Sequence, residues 1–178
     1  METVIKRTAL VLAVIGLVWL AKPTLVTLMV GGILVALGTV FRVWAAGHLS
    51  RSTELTTSGP YAYLRDPLYL GRFLFIVGFG VMAWGWALVV MLVGLGVFFA
   101  NYMPRKHKRE MNRLEKRYGE AYTRYAAQVH SLVPRLTRYP DASVKPWSFK
   151  QFWSDNREQY LIFGVIVLSG VFIFLYMR

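Results

Sequence analysis

Long stretches without a charged residue most constrain how this chain can fold. Thr8–Ala21, Pro23–Phe41, Phe73–Pro104 and Tyr160–Met177 contain no Lys, Arg, Asp or Glu. A helix rises about 1.5 Å per residue, so about 20 apolar residues cross a hydrocarbon core of about 30 Å. Hydrophobic residues make up 56% of the 178 residues, more than soluble domains carry. The sequence therefore predicts an all-α integral membrane protein, with residues 1–178 forming a single domain.

The lengths of these stretches predict five membrane helices. Thr8–Ala21 has only 14 residues and crosses only if its flanking charges reach outward to the headgroups. Phe73–Pro104 has 32, about 48 Å as one helix, so we expect a hairpin that turns at Ala83–Trp86, where two tryptophans suit the interface. Lys6 and Arg7 before an apolar run resemble a signal peptide, but Trp19–Pro23 is a poor cleavage site, so we expect a retained helix.

The charges sort to one side of these predicted helices. With the N-terminus inside, 19 of the 21 basic residues and all nine acidic residues lie on the inner face, as the positive-inside rule requires. This places the polar chemistry on one side of the membrane, expected to be the cytosolic face. The net charge of +12 then reflects topology, and no nucleic-acid partner is expected. The chain has no cysteine, which excludes disulfides and thiolate chemistry.

Residues Arg105–Val129 have the pattern of one amphipathic helix on the cytosolic surface. Apolar residues recur at three- and four-residue steps between basic ones, at Met111, Leu114, Tyr118, Tyr122, Tyr125 and Val129. Gly119 is a weak point within it. Such a helix can lie on anionic lipid headgroups, and its polar face can also close a site.

Glycines cluster within the predicted spans and are expected to let helices approach closely in lipid. They are Gly31, Gly32, Gly38, Gly78, Gly80, Gly94 and Gly96. No strand or turn precedes them, so they do not form a nucleotide-binding fingerprint.

The pair Asp66–Pro67 predicts the start of the third membrane helix. Aspartate is a favoured N-cap and proline a favoured first helical residue. The amide-rich end of a helix attracts anions, and Arg65 adds donors suited to a carboxylate. Asp66 therefore either caps the helix or takes part in a ligand site, and Arg72 adds positive charge nearby.

Three further polar residues have two interpretations each. Arg42 either extends outward from the membrane edge or points, together with His48, into a pocket shared with Arg65. Glu110 either pairs with neighbouring Lys106 or Arg113 or accepts a hydrogen bond from a ligand amine or hydroxyl. No second histidine stands at ligand spacing from His48, so no metal site is expected.

The segment "SGPYAYLRDPLYLG" and the later "REMNRLEKRYGEAYTRYAAQVHSLVPRL" resemble the isoprenylcysteine carboxyl methyltransferase and phospholipid methyltransferase superfamily. The superfamily pattern is G-P-Y-x-Y-x-R-H-P-x-Y-x-G, then E-E-x-x-L, then F/Y-G-x-x-Y-x-x-Y before a proline-bearing tail. "RVWAAGHL" ahead of it is similar to a bacterial isoprenylcysteine-type subgroup, a resemblance that implies a bacterial inner membrane. The resemblance covers Phe41–Leu136, so Tyr160–Met177 is an additional helix.

This resemblance implies a membrane enzyme that uses S-adenosylmethionine. The residues that it implies for cofactor binding are Tyr61, Tyr63, Arg65, Pro67, Tyr69, Leu70, Gly71, Glu110, Tyr122 and Tyr125. Arg65 would take the cofactor carboxylate and Glu110 its ammonium or ribose. Arg42, His48 and Asp66 are the candidates for catalysis.

Two residues depart from the superfamily pattern. Asp66 stands where the pattern has histidine, and Met111 replaces the second glutamate. Asp66 cannot make the contact of a neutral histidine, and Glu110 is left as the one carboxylate of its pair.

The expected methyl acceptor is a lipophilic or amphiphilic small molecule or lipid, whose nucleophile is a carboxylate, an amine or a thiol. A carboxylate needs no base, whereas an amine or thiol must first lose a proton. Two alternatives stay open at this point. One is a sterol-reductase-like enzyme that uses NADPH, and the other is a non-catalytic membrane protein of the same fold. The sequence predicts no oligomeric state.

Overall fold

The computed structural model of the chain describes residues 15–16, 18–50, 54–97 and 103–178, without side-chain detail for residues 94, 97 and 103–110. Within these ranges the regular structure is helical and contains no strand. The α-helices are α1 (Leu25–Ala46), α2 (Pro67–Ala83), α3 (Gly85–Val97), α4 (Met103–Tyr118), α5 (Glu120–Gln128) and α6 (Glu158–Met177). A 3-10 turn at Gly59–Ala62 precedes α2, and a π-helical turn at Gln151–Asp155 precedes α6.

Two of the described helices, α1 and α6, are long and apolar enough to cross a membrane, and α2 is a shorter apolar helix. The all-helical fold is therefore confirmed, while the count of five spans stays a prediction. Residues 8–14 and 17 of the first predicted span lie outside the described residues, and residues 15–16 and 18–19 are helical. The last helix begins at Glu158, two residues before its predicted start.

The predicted break in the long apolar run is confirmed at Trp84. This residue separates α2 from α3 with φ of 52°, and Gly85 follows with φ of 59°. The backbone N–H of Lys22 donates to the Ala83 carbonyl at 2.7 Å, so the turn before α1 and the turn after α2 meet. Since α1 and α2 are antiparallel, the end of α1 and the start of α2 lie together at the other end of the bundle.

Glycines create the contact between α1 and α2. A Cβ placed on Gly31 would stand 2.4 Å from the Gly78 carbonyl oxygen, and one on Gly38 would stand 2.9 Å from that of Gly71. The packing role predicted for Gly31, Gly38 and Gly78 is confirmed, and Gly71, which was predicted to bind the cofactor, also belongs to this contact. A Cβ placed on Gly32 would meet no other atom within 4 Å, so Gly32 does not belong to this contact.

An apolar cluster joins α6 to the two glycine-packed helices. Phe172 is buried there, and its ring centroid lies 6.2 Å from that of Phe79 on α2. The other buried members are Val35, Phe75, Met82, Ala83 and Ala87. This cluster holds α6 against the bundle from Leu161 to Leu175.

A buried ion pair fixes the other end of α6. The Arg42 guanidinium donates from Nη2 to Glu158 Oε1 at 2.6 Å and from Nε to Oε2 at 3.0 Å. Its Nη1 donates to the Leu68 carbonyl at 2.8 Å. Arg42 and Glu158 are 3% and 4% exposed. One side chain of α1 therefore holds the start of α2 and the start of α6 in place.

The segment after α5 packs along the approach to α2. Backbone N–H groups of Arg65 and Asp66 donate to the carbonyls of His130 and Ser131, and those of Arg135 and Tyr139 donate to the carbonyls of Tyr63 and Ala62. These bonds give the 3-10 turn and the loop after it a fixed backbone conformation.

The predicted single amphipathic helix over Arg105–Val129 is wrong in one respect, because the structure breaks it at Gly119. This residue has φ of 54° and ψ of −134°, a combination that side chains with a Cβ rarely adopt. The break turns α5 so that Tyr122, Tyr125 and Val129 pack with Tyr139.

Replacing Gly31 by alanine should destabilise the protein. The new Cβ would collide with the backbone of α2, because the Gly78 oxygen and the Met82 nitrogen lie 2.4 and 2.7 Å away. Such overpacking costs about 1–3 kcal/mol. Thermal unfolding of detergent-purified protein measures it, and Gly32→Ala is the matched control because its site is open. Equal midpoints for the two variants would contradict the packing described here.

Removing Glu158 should be more damaging, because it leaves a buried guanidinium without its carboxylate. We expect Glu158→Ala to lower the unfolding free energy by about 3–5 kcal/mol. The double variant Arg42→Met with Glu158→Leu should recover most of this loss, since an apolar pair removes the unpaired charge. If the thermal unfolding midpoint of Glu158→Ala equals that of the unaltered protein, the ion pair does not hold α6 in place.

Candidate functional site

A cavity of about 490 Å³ opens where α1 ends and where α2 and α6 begin. Its wall is unusually mixed, with basic, acidic and aromatic side chains facing the same space. The basic residues are Arg42, Arg65, Arg72, Arg113 and Arg117, the acidic ones Glu54, Asp66 and Glu158, and the aromatic ones Tyr61, Tyr69, Tyr118, Tyr122 and Tyr125. Leu49, Ser50, Leu55, Thr56, Pro67, Leu68 and Leu114 complete the lining.

Arg42 points inward to this cavity and does not extend to the membrane surface. Its guanidinium is occupied by Glu158 and by the Leu68 carbonyl, so in this state it shapes the wall. Sequence reasoning did not find Glu158, because it placed this residue outside the last span. A buried arginine needs a carboxylate partner. A glutamate just before the last apolar run was the signal that could have identified Glu158 as that partner.

Asp66 begins α2 as predicted, but the expected side-chain cap is absent. The Asp66 carboxylate makes no capping hydrogen bond and accepts one from the Ser131 hydroxyl instead. Arg65 Nε lies 3.8 Å from the same carboxylate, and Arg65 Nη1 donates to the Ala126 carbonyl at 3.3 Å. Asp66 and Arg65 are thus held by the segment that includes α5 and Ser131, with both side chains at the cavity wall.

The tyrosines form the aromatic part of the wall. The Tyr125 hydroxyl donates to the Tyr61 carbonyl at 2.6 Å, and burial raises the pKa of Tyr125 well above its ordinary value. Tyr125 therefore stays protonated and supports the 3-10 turn. Tyr69 lies beneath Arg72, whose Cζ is 5.7 Å from its ring centroid, a cation–π contact at the cavity.

Four other predicted site residues lie outside the cavity lining, and the side chain of a fifth lies outside the described residues. His48 is buried, with Nδ1 3.3 Å from the Ser58 hydroxyl, and burial lowers its pKa. Gly71 lies under Arg42, where a Cβ would stand 2.4 Å from Cγ. Tyr63 and Leu70 do not reach the lining, and Glu110 is on α4 with its side chain outside the described residues.

Arg113 and Arg117 were not predicted as site residues. They stand four residues apart on α4 and both face the cavity, as neighbours on one face of a helix do. Their spacing beside Leu114 and Tyr118 was visible in the sequence, but the fold is needed to show that this face lines the same cavity as the start of α2. Arg117 also lies over the ring of Tyr118, with Cζ 5.7 Å from the centroid.

Comparison with known proteins gives one family and two named relatives. The sequence model of the phospholipid methyltransferase family matches residues 26–121. The nickel-cobalt-cadmium resistance protein NccN of Alcaligenes xylosoxydans xylosoxydans is 34% identical over 143 residues, 78% of this chain and 64% of that protein. The cobalt-zinc-cadmium resistance protein CzcN of Cupriavidus metallidurans is 35% identical over 153 residues, 85% of this chain and 68% of that protein.

This chain thus spans about two-thirds of the length of these curated relatives. No solved structure gives a significant match. The family match contains the end of α1, the motif around Asp66 and the basic face of α4, which are the elements that surround the cavity. With the two membrane-length helices, it suggests a membrane methyltransferase. The chain belongs to the phospholipid methyltransferase family, consistent with the superfamily that its motifs resemble.

Proposed function

We propose that this protein is an S-adenosylmethionine-dependent methyltransferase that acts on a lipophilic or amphiphilic acceptor. The observation that carries the proposal is the cavity beside the ends of α1 and α6, where arginines, carboxylates and tyrosines meet. Such a wall suits a charged, partly aromatic ligand, and its position at the ends of two membrane-length helices suits an acceptor that comes from the lipid.

The residues present fit this cofactor. S-adenosylmethionine carries a carboxylate, an ammonium group, a ribose, a flat adenine and a sulfonium. Guanidinium groups suit the carboxylate, carboxylates suit the ammonium and the ribose hydroxyls, and tyrosine faces suit the ring and the cation. The volume of about 490 Å³ falls in the range of about 300–1,000 Å³ common to small-molecule sites.

Arg65, Arg72 and the start of α2 would hold the cofactor carboxylate. The Asp66 side chain makes no capping hydrogen bond to α2 and is bound by Ser131, and the N-terminal end of a helix attracts anions. Pro67 allows the backbone to be approached closely there. Glu110 is proposed to receive the ammonium or ribose.

The aromatic residues would enclose the rest of the cofactor. Tyr61, Tyr69 and Tyr122 would shape the adenine and sulfonium region, and Tyr122 with Tyr125 would form the inner side of a lid carried by α5.

When bound, the cofactor supplies an electrophilic methyl group, so the chain has to orient the acceptor and exclude water. The candidate bases are not equally placed for proton transfer. His48 lies outside the cavity lining, and Asp66 already accepts a hydrogen bond from Ser131. The Glu110 side chain lies outside the described residues. A carboxylate acceptor needs no base, so we favour an acceptor that arrives ionised over an amine or a thiol.

An apolar groove between α1 and α6 supports a lipophilic acceptor. Its volume is about 770 Å³, and its lining runs on α1 from Leu25 to Val40, two residues before Arg42. On α6 the lining includes Val165, Ser169, Ile173, Tyr176 and Met177. The groove could hold a hydrocarbon chain whose polar end reaches the cavity.

The names of the two curated relatives concern metal resistance. Among the described residues no group of three or more His, Asp or Glu side chains is arranged to hold a metal ion. The proposal therefore rests on the family and the cavity, and it carries over no metal-binding role.

Binding of S-adenosylhomocysteine, the demethylated product, tests the cofactor site without turnover. Arg72→Ala should weaken its affinity about tenfold to a hundredfold, because a charge-assisted hydrogen bond contributes about 1.5–3 kcal/mol. Arg65→Ala and Glu110→Ala should weaken it similarly. Isothermal titration calorimetry on detergent-purified, monodisperse protein measures the change.

Arg124→Ala is the matched control for the binding experiment. Arg124 is an exposed arginine on α5 that does not line the cavity, so its loss should leave the affinity unchanged. Absence of heat with both cofactor and product would refute the methyltransferase proposal and favour a non-catalytic membrane protein. Heat with NADPH alone would favour a reductase.

The acceptor is tested with methyl-labelled S-adenosylmethionine and a bacterial lipid extract. We expect label in the organic phase, and release of that label as methanol by mild alkali, because carboxyl methyl esters hydrolyse whereas methylamines and thioethers do not. Alkali-stable lipid label would identify an amine or thiol acceptor. Label found in the aqueous phase alone would contradict a lipophilic acceptor.

A further inference from the structure

Residues Trp147–Trp153 form an aromatic segment whose rings pack on one another. Phe149 and Trp153 stack with centroids 5.5 Å apart, and Phe152 lies 5.8 Å from Trp147 and 6.1 Å from Phe149. Phe152 is buried, while Phe149 is 60% and Trp153 48% exposed. The segment is thus an ordered cluster with an apolar outer surface.

This aromatic segment lies at the level where two membrane-length helices end. The indole Nε1 of Trp147 donates to the Val43 carbonyl at 3.0 Å, and the N–H of Ser148 donates to the Gly47 carbonyl at 2.9 Å. The π-helical turn that carries Phe152 and Trp153 leads directly into α6. The position of the aromatic segment along the helix axes is therefore set by the end of α1 and the beginning of α6.

Carbonyl groups at the end of α1 accept hydrogen bonds from protein donors, as suits a medium poor in water. A helix leaves its last carbonyls without intrahelical partners, and lipid cannot supply hydrogen bonds to them. Besides the contacts of Trp147 and Ser148, Asn156 Nδ2 donates to the carbonyls of Ala46 and Leu49 at 2.8 and 3.1 Å. Side chains and backbone of the 147–156 stretch thus supply donors that water supplies at an exposed helix end.

We propose that the aromatic segment lies in the boundary between headgroups and acyl chains, and that it binds the bilayer as an interfacial anchor ahead of α6. Tryptophan and other aromatic side chains favour this depth, since one part of the ring is apolar and another polar. Exposed Lys150 and Arg157 flank the rings, and Asp155 is the single acidic residue between residues 145 and 157. This charge balance suits a leaflet that contains anionic lipid.

The bilayer is a better occupant than a protein partner because the segment continues the surface of α1 and α6. Trp44 in the last turn of α1 and Tyr160 in the first turn of α6 are also exposed. Membrane-length helices and exposed aromatic rings at their ends therefore share one surface. A second copy of the chain would cover these rings only by lying beside the same helices.

The absence of cysteine makes the proposal directly testable by single-site spin labelling. The full chain carrying Phe149→Cys or Trp153→Cys is labelled and reconstituted in vesicles of phosphatidylcholine and phosphatidylglycerol. Collision of the label with dissolved oxygen, which concentrates in lipid, is compared with collision with a water-soluble nickel chelate. Ile166→Cys in the middle of α6 provides the hydrocarbon reference, and Asp141→Cys in the exposed loop provides the aqueous reference.

Labels at both positions should collide with the chelate several-fold less than the Asp141 label, and with oxygen less than the Ile166 label. That result places them at intermediate depth. Chelate collision equal to that at Asp141 would overturn the proposal, as would spin–spin broadening between labels at Phe149 on separate copies. The two positions are scored independently, so a folding defect in one variant leaves the other as the test. The outcome does not depend on methyl transfer.

Discussion

The arrangement of this protein depends on the hydrogen bonds and the ion pair of the Arg42 guanidinium. It lies on α1, binds the Glu158 carboxylate at the start of α6 and donates to the Leu68 carbonyl near the start of α2. Glycines allow α1 and α2 to approach, and Arg42 passes over one of them, Gly71. The cavity opens at the three helix ends that this single side chain connects, and α4 and α5 complete its wall.

Glu158 lies beyond residues 26–121, where the family model matches. The additional helix α6 is therefore part of the candidate site through its first turn, and it also contributes one wall of the apolar groove. The departures from the superfamily motif have local explanations as well. Asp66 finds a partner in Ser131, and Met111 packs against the cluster of Tyr122, Tyr125 and Val129. Neither departure leaves a defect in the fold.

Local patterns in the sequence predicted the helices, the break near Trp84 and the start of α2 at Pro67, because apolar runs, proline and tryptophan act within a few residues. Two features that depend on contacts distant in sequence were not predicted. Glu158 is 116 residues from Arg42, and Ser131 reaches Asp66 from the segment after α5. The break at Gly119 was underestimated because helical periodicity continues on both sides, whereas its positive φ is set by how α5 packs on Tyr139.

The distance along the chain between Arg42 and Glu158 has a consequence for biogenesis. A ribosome adds about 5–20 residues per second, so the 116 residues that separate the two side chains take on the order of ten seconds to translate. α1 and α2 are complete early in that interval, while the carboxylate that neutralises Arg42 does not yet exist. Until α6 emerges, the nascent chain has to satisfy this guanidinium with water, lipid phosphate or another acceptor, so the site closes only after Glu158 has been synthesised.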